Sequence, residues 1–225
     1  MSKNQQDLGL RIMLRGRSVI IFFLAGMTFF GCRGLGPIKG IGHDLTGRYR
    51  SELNHWTRQT EIYNNFNLVL SLAATYQSGP FRTAHAEEYA RVFGLKEADK
   101  NKRLSDQLEA ADSAYEFLFS VYVSERRWDD FETKGSMWNI FLKINDKERL
   151  YPEEIVKLKG NDAVNRYFYP YVSPWKSIYR IRFSKTPMKE QAGIVNKMPD
   201  GITLVITGVQ GRAELNWTFN ASKEG

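Results

Sequence analysis

In the second half of this chain apolar side chains recur at every second position, a spacing that a half-buried strand satisfies and a helix does not. Tyr115, Phe117, Phe119, Val121 and Val123 alternate with Glu116, Ser120 and Ser124. The period returns where Trp138, Ile140, Leu142 and Ile144 alternate with Asn139, Lys143 and Asn145, and again where Tyr179, Ile181 and Phe183 flank Arg180 and Arg182. Residues 202–207 and 213–219 supply two more strands, and Gly208-Val209-Gln210-Gly211 between them predicts a closing hairpin. With a sixth strand at 154–158 and no helical period in between, the pattern predicts antiparallel sheets over 115–221. Each must bury its apolar face, and two stacked on each other form a β-sandwich.

Ahead of Tyr115 the period is helical. Tyr49, Leu53 and Trp56, then Ile62, Phe66, Val69, Ala73 and Tyr76, fall along one stripe and predict a single long helix over 45–76, kinked near Asn64-Asn65. Gly79-Pro80 ends it, and Pro80 presets a short helix carrying Phe81, Ala84, Tyr89, Val92 and Phe93 as far as Gly94. A third helix over 97–114 sets Leu104, Leu108 and Ala111 against Lys100, Lys102, Arg103 and Asp106, and the region folds back as a hairpin. The fold class is α+β, with a helical region over 48–114 followed by the sandwich.

The first seventeen residues carry Lys3, Arg11, Arg15 and Arg17 against Asp7 alone, and an uncharged run over 19–30 follows. That is the order of an export signal. As a helix, residues 18–31 reach roughly 21 Å, short of a ~30 Å hydrocarbon core. The run ends in Phe29-Phe30-Gly31-Cys32, and Cys32 is the sole cysteine of the chain. These four residues resemble a bacterial lipobox, with Phe29 and Phe30 standing where that family prefers Leu and Ala or Ser. The resemblance implies cleavage of a signal peptide over 1–31 and acylation of Cys32, which would become the new N-terminus. At ~0.8 kcal/mol per buried methylene, two acyl chains anchor a protein stably. Lipoproteins of the enterobacterial type held at the inner membrane carry Asp after the cysteine; Arg33 stands there, which favours the outer membrane. The Gly-rich stretch 32–47 is a tether, since its glycines cost too much backbone entropy to form an element alone.

The strand spacing over 115–221 is similar to the layout of immunoglobulin-like β-sandwiches, without their inter-sheet cysteine pair. Without a second cysteine the body has no disulfide and is held by its core, to which fourteen Phe, eleven Tyr and five Trp contribute. The formal charge of +7 falls to about +4 once residues 1–31 are removed, and the remaining charges are mixed. No clustered basic face marks a nucleic-acid binder.

Candidate chemistry is sparse. Glu52 and His55 share a helical face, and His85 with Glu88 repeats the pair in reverse order, but a carboxylate-bridged metal site uses the ordered motif twice with two further glutamates. Nothing points to a cofactor. No Gly-x-Ser-x-Gly elbow is present, and Asp129-Asp130 and Glu153-Glu154 are adjacent acids that point different ways. Arg126-Arg127-Trp128 and the Arg180/Arg182 pair meet either anionic polymer or acidic neighbours across a sheet face. The most unusual stretch is 167–175, with five aromatics and two prolines in nine residues. It either plugs one end of the core or displays Tyr167, Tyr169, Tyr171 and Trp175 to a ligand or partner. The chain is thus expected to be a lipid-anchored envelope protein facing the periplasm, non-catalytic, with a structural or protein-interaction role. The alternative is a glycan- or small-ligand-binding module built on 167–175. Its expected partners are membrane lipid through Cys32 and an envelope protein or glycan, not nucleic acid.

Overall fold

The computed structural model describes residues 44–145, 148–159, 163–185 and 199–219. The signal peptide 1–31, Cys32, His43 and most of the tether 32–47 lie outside the described residues. In chain order the elements are α1 (Gly47–Trp56), β1 (Thr57–Asn64), β2 (Asn67–Tyr76), α2 (Gly79–Phe93), α3 (Glu97–Ser113), β3 (Ala114–Val123), a 3-10 turn (Arg126–Trp128), β4 (Asn139–Ile144), β5 (Glu148–Leu150), β6 (Glu154–Leu158), α4 (Ala163–Phe168), β7 (Ser177–Ser184), β8 (Gly201–Gly208) and β9 (Gly211–Thr218). Among these, two antiparallel sheets form, ordered β1-β2-β3-β7-β6 and β5-β4-β8-β9.

The long helix expected over 45–76 is corrected by the structure. Helix α1 stops at Trp56, and residues 57–76 are a β-hairpin in register from Thr57↔Thr75 to Asn64↔Asn67. Ile62, Phe66, Val69 and Ala73 do sit at helical spacing, but β-branched Thr57, Thr60 and Ile62 favour a pleated strand. Asn65 supplies the positive φ, 53°, that a two-residue hairpin loop demands. Two strands of the first sheet therefore come from the region expected to be helical, and α2 and α3 are inserted between β2 and β3 instead of preceding the sheets.

The two sheets stack through one apolar core. Leu70, Leu72, Phe117, Phe119, Ile181 and Phe183 of the first meet Ile140, Leu142, Leu204, Leu215 and Trp217 of the second. Each such side chain, fully buried, contributes about 1.5–3 kcal/mol. The opposite face of the first sheet is buried as well. Ala73, Leu118 and Ile178 pack under Tyr49 and Leu53 of α1, Phe81 and Ala84 of α2, and Phe168. Helices thus form a third layer. Ser78 and Pro80 start α2, and Gly94, at φ 62°, ends it in the left-handed conformation that suits glycine. Arg82, buried, ties the layer to the sheet: it donates to Gln77 O (2.9 Å) and to Gln107 of α3, and pairs with Glu116 of β3 (3.3 Å).

The edge strands β1 and β9 lie side by side. Arg58 donates to Asn216 O (2.9 Å), the Trp217 indole to Trp56 O (2.8 Å), and the Asn64 amide to Gln210 Oε1 (3.1 Å). Gly211, at φ 145°, leaves room for Ile62, whose methyl group a Cβ at that position would overlap. That apposition brings the β1–β2 and β8–β9 turns to the same end of the two sheets.

Candidate functional site

The aromatic segment 167–175 is mostly interior. Phe168, Tyr169, Tyr171 and Val172 are buried between the helices and the first sheet. Their polar ends are engaged there: Tyr49 donates to Phe168 O (2.8 Å), Tyr169 to Gln77 Oε1 (3.3 Å), and Tyr171 bonds Thr75 Oγ1 (2.7 Å) and Leu118 O (3.3 Å). Burial raises the phenol pKa of both Tyr169 and Tyr171, so neither ionises near neutrality. As candidate contact residues these two are corrected, because a ring under a helix has no face for a ligand. Trp175 is 84% exposed, and Tyr167 is half-buried with its hydroxyl on Glu88 Oε1 (3.1 Å).

Glu88 is the hub of that region. Its carboxylate accepts from Thr46, which also caps α1, from Arg91 and from Tyr167. Burial alone raises its pKa, but the hydrogen bonds from Arg91, Thr46 and Tyr167 and the charge of Arg91 outweigh it, and the net shift is downward. One turn earlier, His85 sits among the rings of Tyr49, Phe81, Tyr89, Phe168 and Tyr169, at centroid distances of 4.7–6.2 Å. Burial, then the charges of Arg103 and Arg82, lower its pKa to about 4, which keeps it neutral. Glu52 accepts from the Trp56 indole (2.9 Å), and His55 packs edge-on to that ring. Among the described residues no three His, Cys, Asp or Glu side chains gather closely enough to hold a metal.

Other polar candidates are held in structural bonds. Asp129 accepts from Ser177 (2.6 Å), Tyr179 (2.9 Å) and Lys157 (2.8 Å), and Asp130 accepts from Ser136 (2.8 Å). Ser177 therefore faces a carboxylate, not an imidazole. Arg180 pairs with Glu154 (3.1 Å) and Arg182 with Glu153 (3.4 Å), the acidic neighbours across the sheet face. Arg127 pairs with Glu125 (2.7 Å).

A concave feature lies at the sheet end where the two hairpin turns meet. An open cleft of about 590 Å³ is bounded by residues 64–69 of the β1–β2 tip, by Ser124, Glu125 and Trp128 after β3, and by Gln210. Phe66, at its rim, is fully exposed. A sequence signal for it exists: Asn64-Asn65-Phe66-Asn67 puts three carboxamides around one ring, which only a turn displays together. The helical stripe assigned to 45–76 absorbed Phe66 as a core residue and hid that signal.

No helix among the described residues is long and apolar enough to cross a membrane. No family model matches the chain, and no curated protein does. A solved structure described as a novel protein of unknown function from Burkholderia pseudomallei is similar at 13% identity, covering 76% of this chain and 81% of that one, with a TM-score of 0.35.

Proposed function

We propose that this chain is a lipid-anchored protein of the bacterial envelope, tethered through Cys32 and facing the periplasm, whose folded body binds a partner and carries no catalysis of its own. The observation that carries this is the leader, in which basic residues, an uncharged run too short to span a bilayer and Gly31-Cys32 follow one another in the order that export and lipidation use. Arg33 after the cysteine favours the outer membrane. The body supports an interaction role in two ways. Glu52, Glu88, Asp129 and Asp130 are engaged in structural hydrogen bonds, while Phe66 and Trp175 present exposed aromatic rings of the kind that anchor a partner. The immunoglobulin-like layout belongs to the same proposal. Two stacked antiparallel sheets support it, and the helices on the outer face of one sheet are an addition to that plan.

Metabolic labelling with palmitate tests the anchor. Label in the wild-type chain that disappears in Cys32→Ser is the expected result, and a wild-type chain that takes up no label, or a variant that keeps it, contradicts the proposal.

A further inference from the structure

We infer that the cleft at the tip of the β1–β2 hairpin is a binding site for a neutral saccharide, because free carboxamides, a neutralised carboxylate and two aromatic rings line one open hollow there. The residues that a hydroxyl-rich ligand needs are present. The Asn64 amide donates to Gln210 Oε1 (3.1 Å), which leaves the Asn64 carbonyl as an acceptor and the Gln210 NH₂ as a donor. Asn67, exposed at the start of β2, makes no side-chain hydrogen bond among the described residues, so its carboxamide offers both kinds of group. Planar amides that donate and accept side by side match vicinal hydroxyls, which do the same.

Charge and shape narrow the ligand class. The one charged side chain in the lining, Glu125, is already paired with Arg127 (2.7 Å), so nothing in the hollow calls for an ionic ligand. Phe66 is wholly exposed on a turn that needs a special backbone only at Asn65. Its bare ring at the rim of the hollow offers a flat apolar face on which a sugar ring can stack. Trp128, half-buried in the lining with the Arg127 guanidinium over its ring (5.4 Å), supplies a second aromatic surface. The volume falls within the range of small-molecule sites, of roughly 300–1,000 Å³. An extended peptide added as a further strand is not accommodated here, since β2 and β3 are paired on both sides and β9 lies along the free edge of β1.

The inference stands on the cleft and holds whether or not Cys32 is acylated, so its failure leaves the anchor untouched. The full chain, kept in a detergent without a sugar headgroup, is titrated calorimetrically with maltotetraose and with N,N′,N″,N‴-tetraacetylchitotetraose. At least one is expected to saturate with a Kd on the order of 1 mM, and Phe66→Ala and Asn67→Ala are each expected to weaken it about fivefold to tenfold while thermal unfolding stays as in the wild type. Tyr151→Ala, which removes an exposed ring elsewhere, is expected to bind as the wild type does. Absence of saturation by either sugar at about 10 mM overturns the inference. So does binding that Phe66→Ala and Asn67→Ala leave intact, or that is lost in Trp175→Ala instead.

Discussion

Replacing Glu88 by Gln isolates the bond that holds the helical layer together. The Glu88 side chain is fully buried. Its Oε1 accepts from Arg91 Nη2 (2.7 Å), Tyr167 OH (3.1 Å) and Thr46 N (3.4 Å), and its Oε2 from Thr46 Oγ1 (2.8 Å) and Arg91 Nε (3.3 Å). Those bonds join α1, α2 and α4. In Glu88→Gln the amide NH₂ is best placed at the Oε2 position, where the Thr46 hydroxyl can turn to accept but Arg91 Nε cannot. The remaining bonds fall from charge-assisted, ~1.5–3 kcal/mol each, to neutral, ~0.5–1.5 kcal/mol. Arg91 is half-exposed and recovers part of the loss from water. The expected cost is about 2–3 kcal/mol, or roughly 5–10 °C in Tm for a body of this size.

The pH dependence has a definite sign. The folded pKa of Glu88 lies below its unfolded value of about 4.3, so its contribution is complete above the unfolded value and is lost as pH falls through the folded one. Urea unfolding of wild type and Glu88→Gln, followed by tryptophan fluorescence, is therefore expected to show the full gap at pH 7 and a closing gap below about pH 4. No gap at neutral pH, or one that stays constant into acid, refutes the reasoning.

Three further outcomes follow from other sites. The His85 imidazole, lowered to about 4 by burial and by Arg103 and Arg82, is disfavoured in its charged form, so stability is complete above the unfolded pKa near 6.5 and declines as pH falls from there toward 4; His85→Phe is expected to flatten that slope, and an NMR titration of the wild type with a midpoint near 6.5 contradicts it. Gly211→Ala is expected to cost about 2–3 kcal/mol through its positive φ and the overlap with Ile62, and to cost less when introduced into an Ile62→Ala background, in which the overlap is gone; equal unfolding midpoints for Gly211→Ala and wild type contradict the β1–β9 apposition. Arg180→Ala, which breaks an exposed cross-strand pair, is expected to change stability by less than about 1 kcal/mol in the same assay, and a larger loss means that Arg180 does more than pair with Glu154.

The strands after Ser113, except the three-residue β5, which shows too little alternation to be read, were legible because the longer ones carry their larger side chains on the face turned to the other sheet. Phe117 and Phe119, or Leu215 and Trp217, mark that face plainly. The third layer left a fainter trace. The face of the first sheet under the helices uses Ala73, Leu118, Ser120 and Ile178, small or polar residues among them, so alternation alone implied that it was wet. The β1–β2 hairpin was obscured for a different reason: residues 62, 66, 69, 73 and 76 fit a helix stripe, and only Asn64-Asn65 together with the β-branched residues before them argues for a turn. In the segment 167–175 aromatic density alone does not separate a core plug from a binding platform. Hydrogen bonds to Thr75 and Gln77, 92–96 residues away in the chain, make that distinction.

The anchor is the claim on which place and role depend, and intact-mass analysis of the protein from its native membranes addresses it directly. A chain beginning at residue 32, heavier than its polypeptide by the mass of glycerol-linked acyl chains, is the expected result. A chain beginning at Met1 with an unmodified Cys32 contradicts the account.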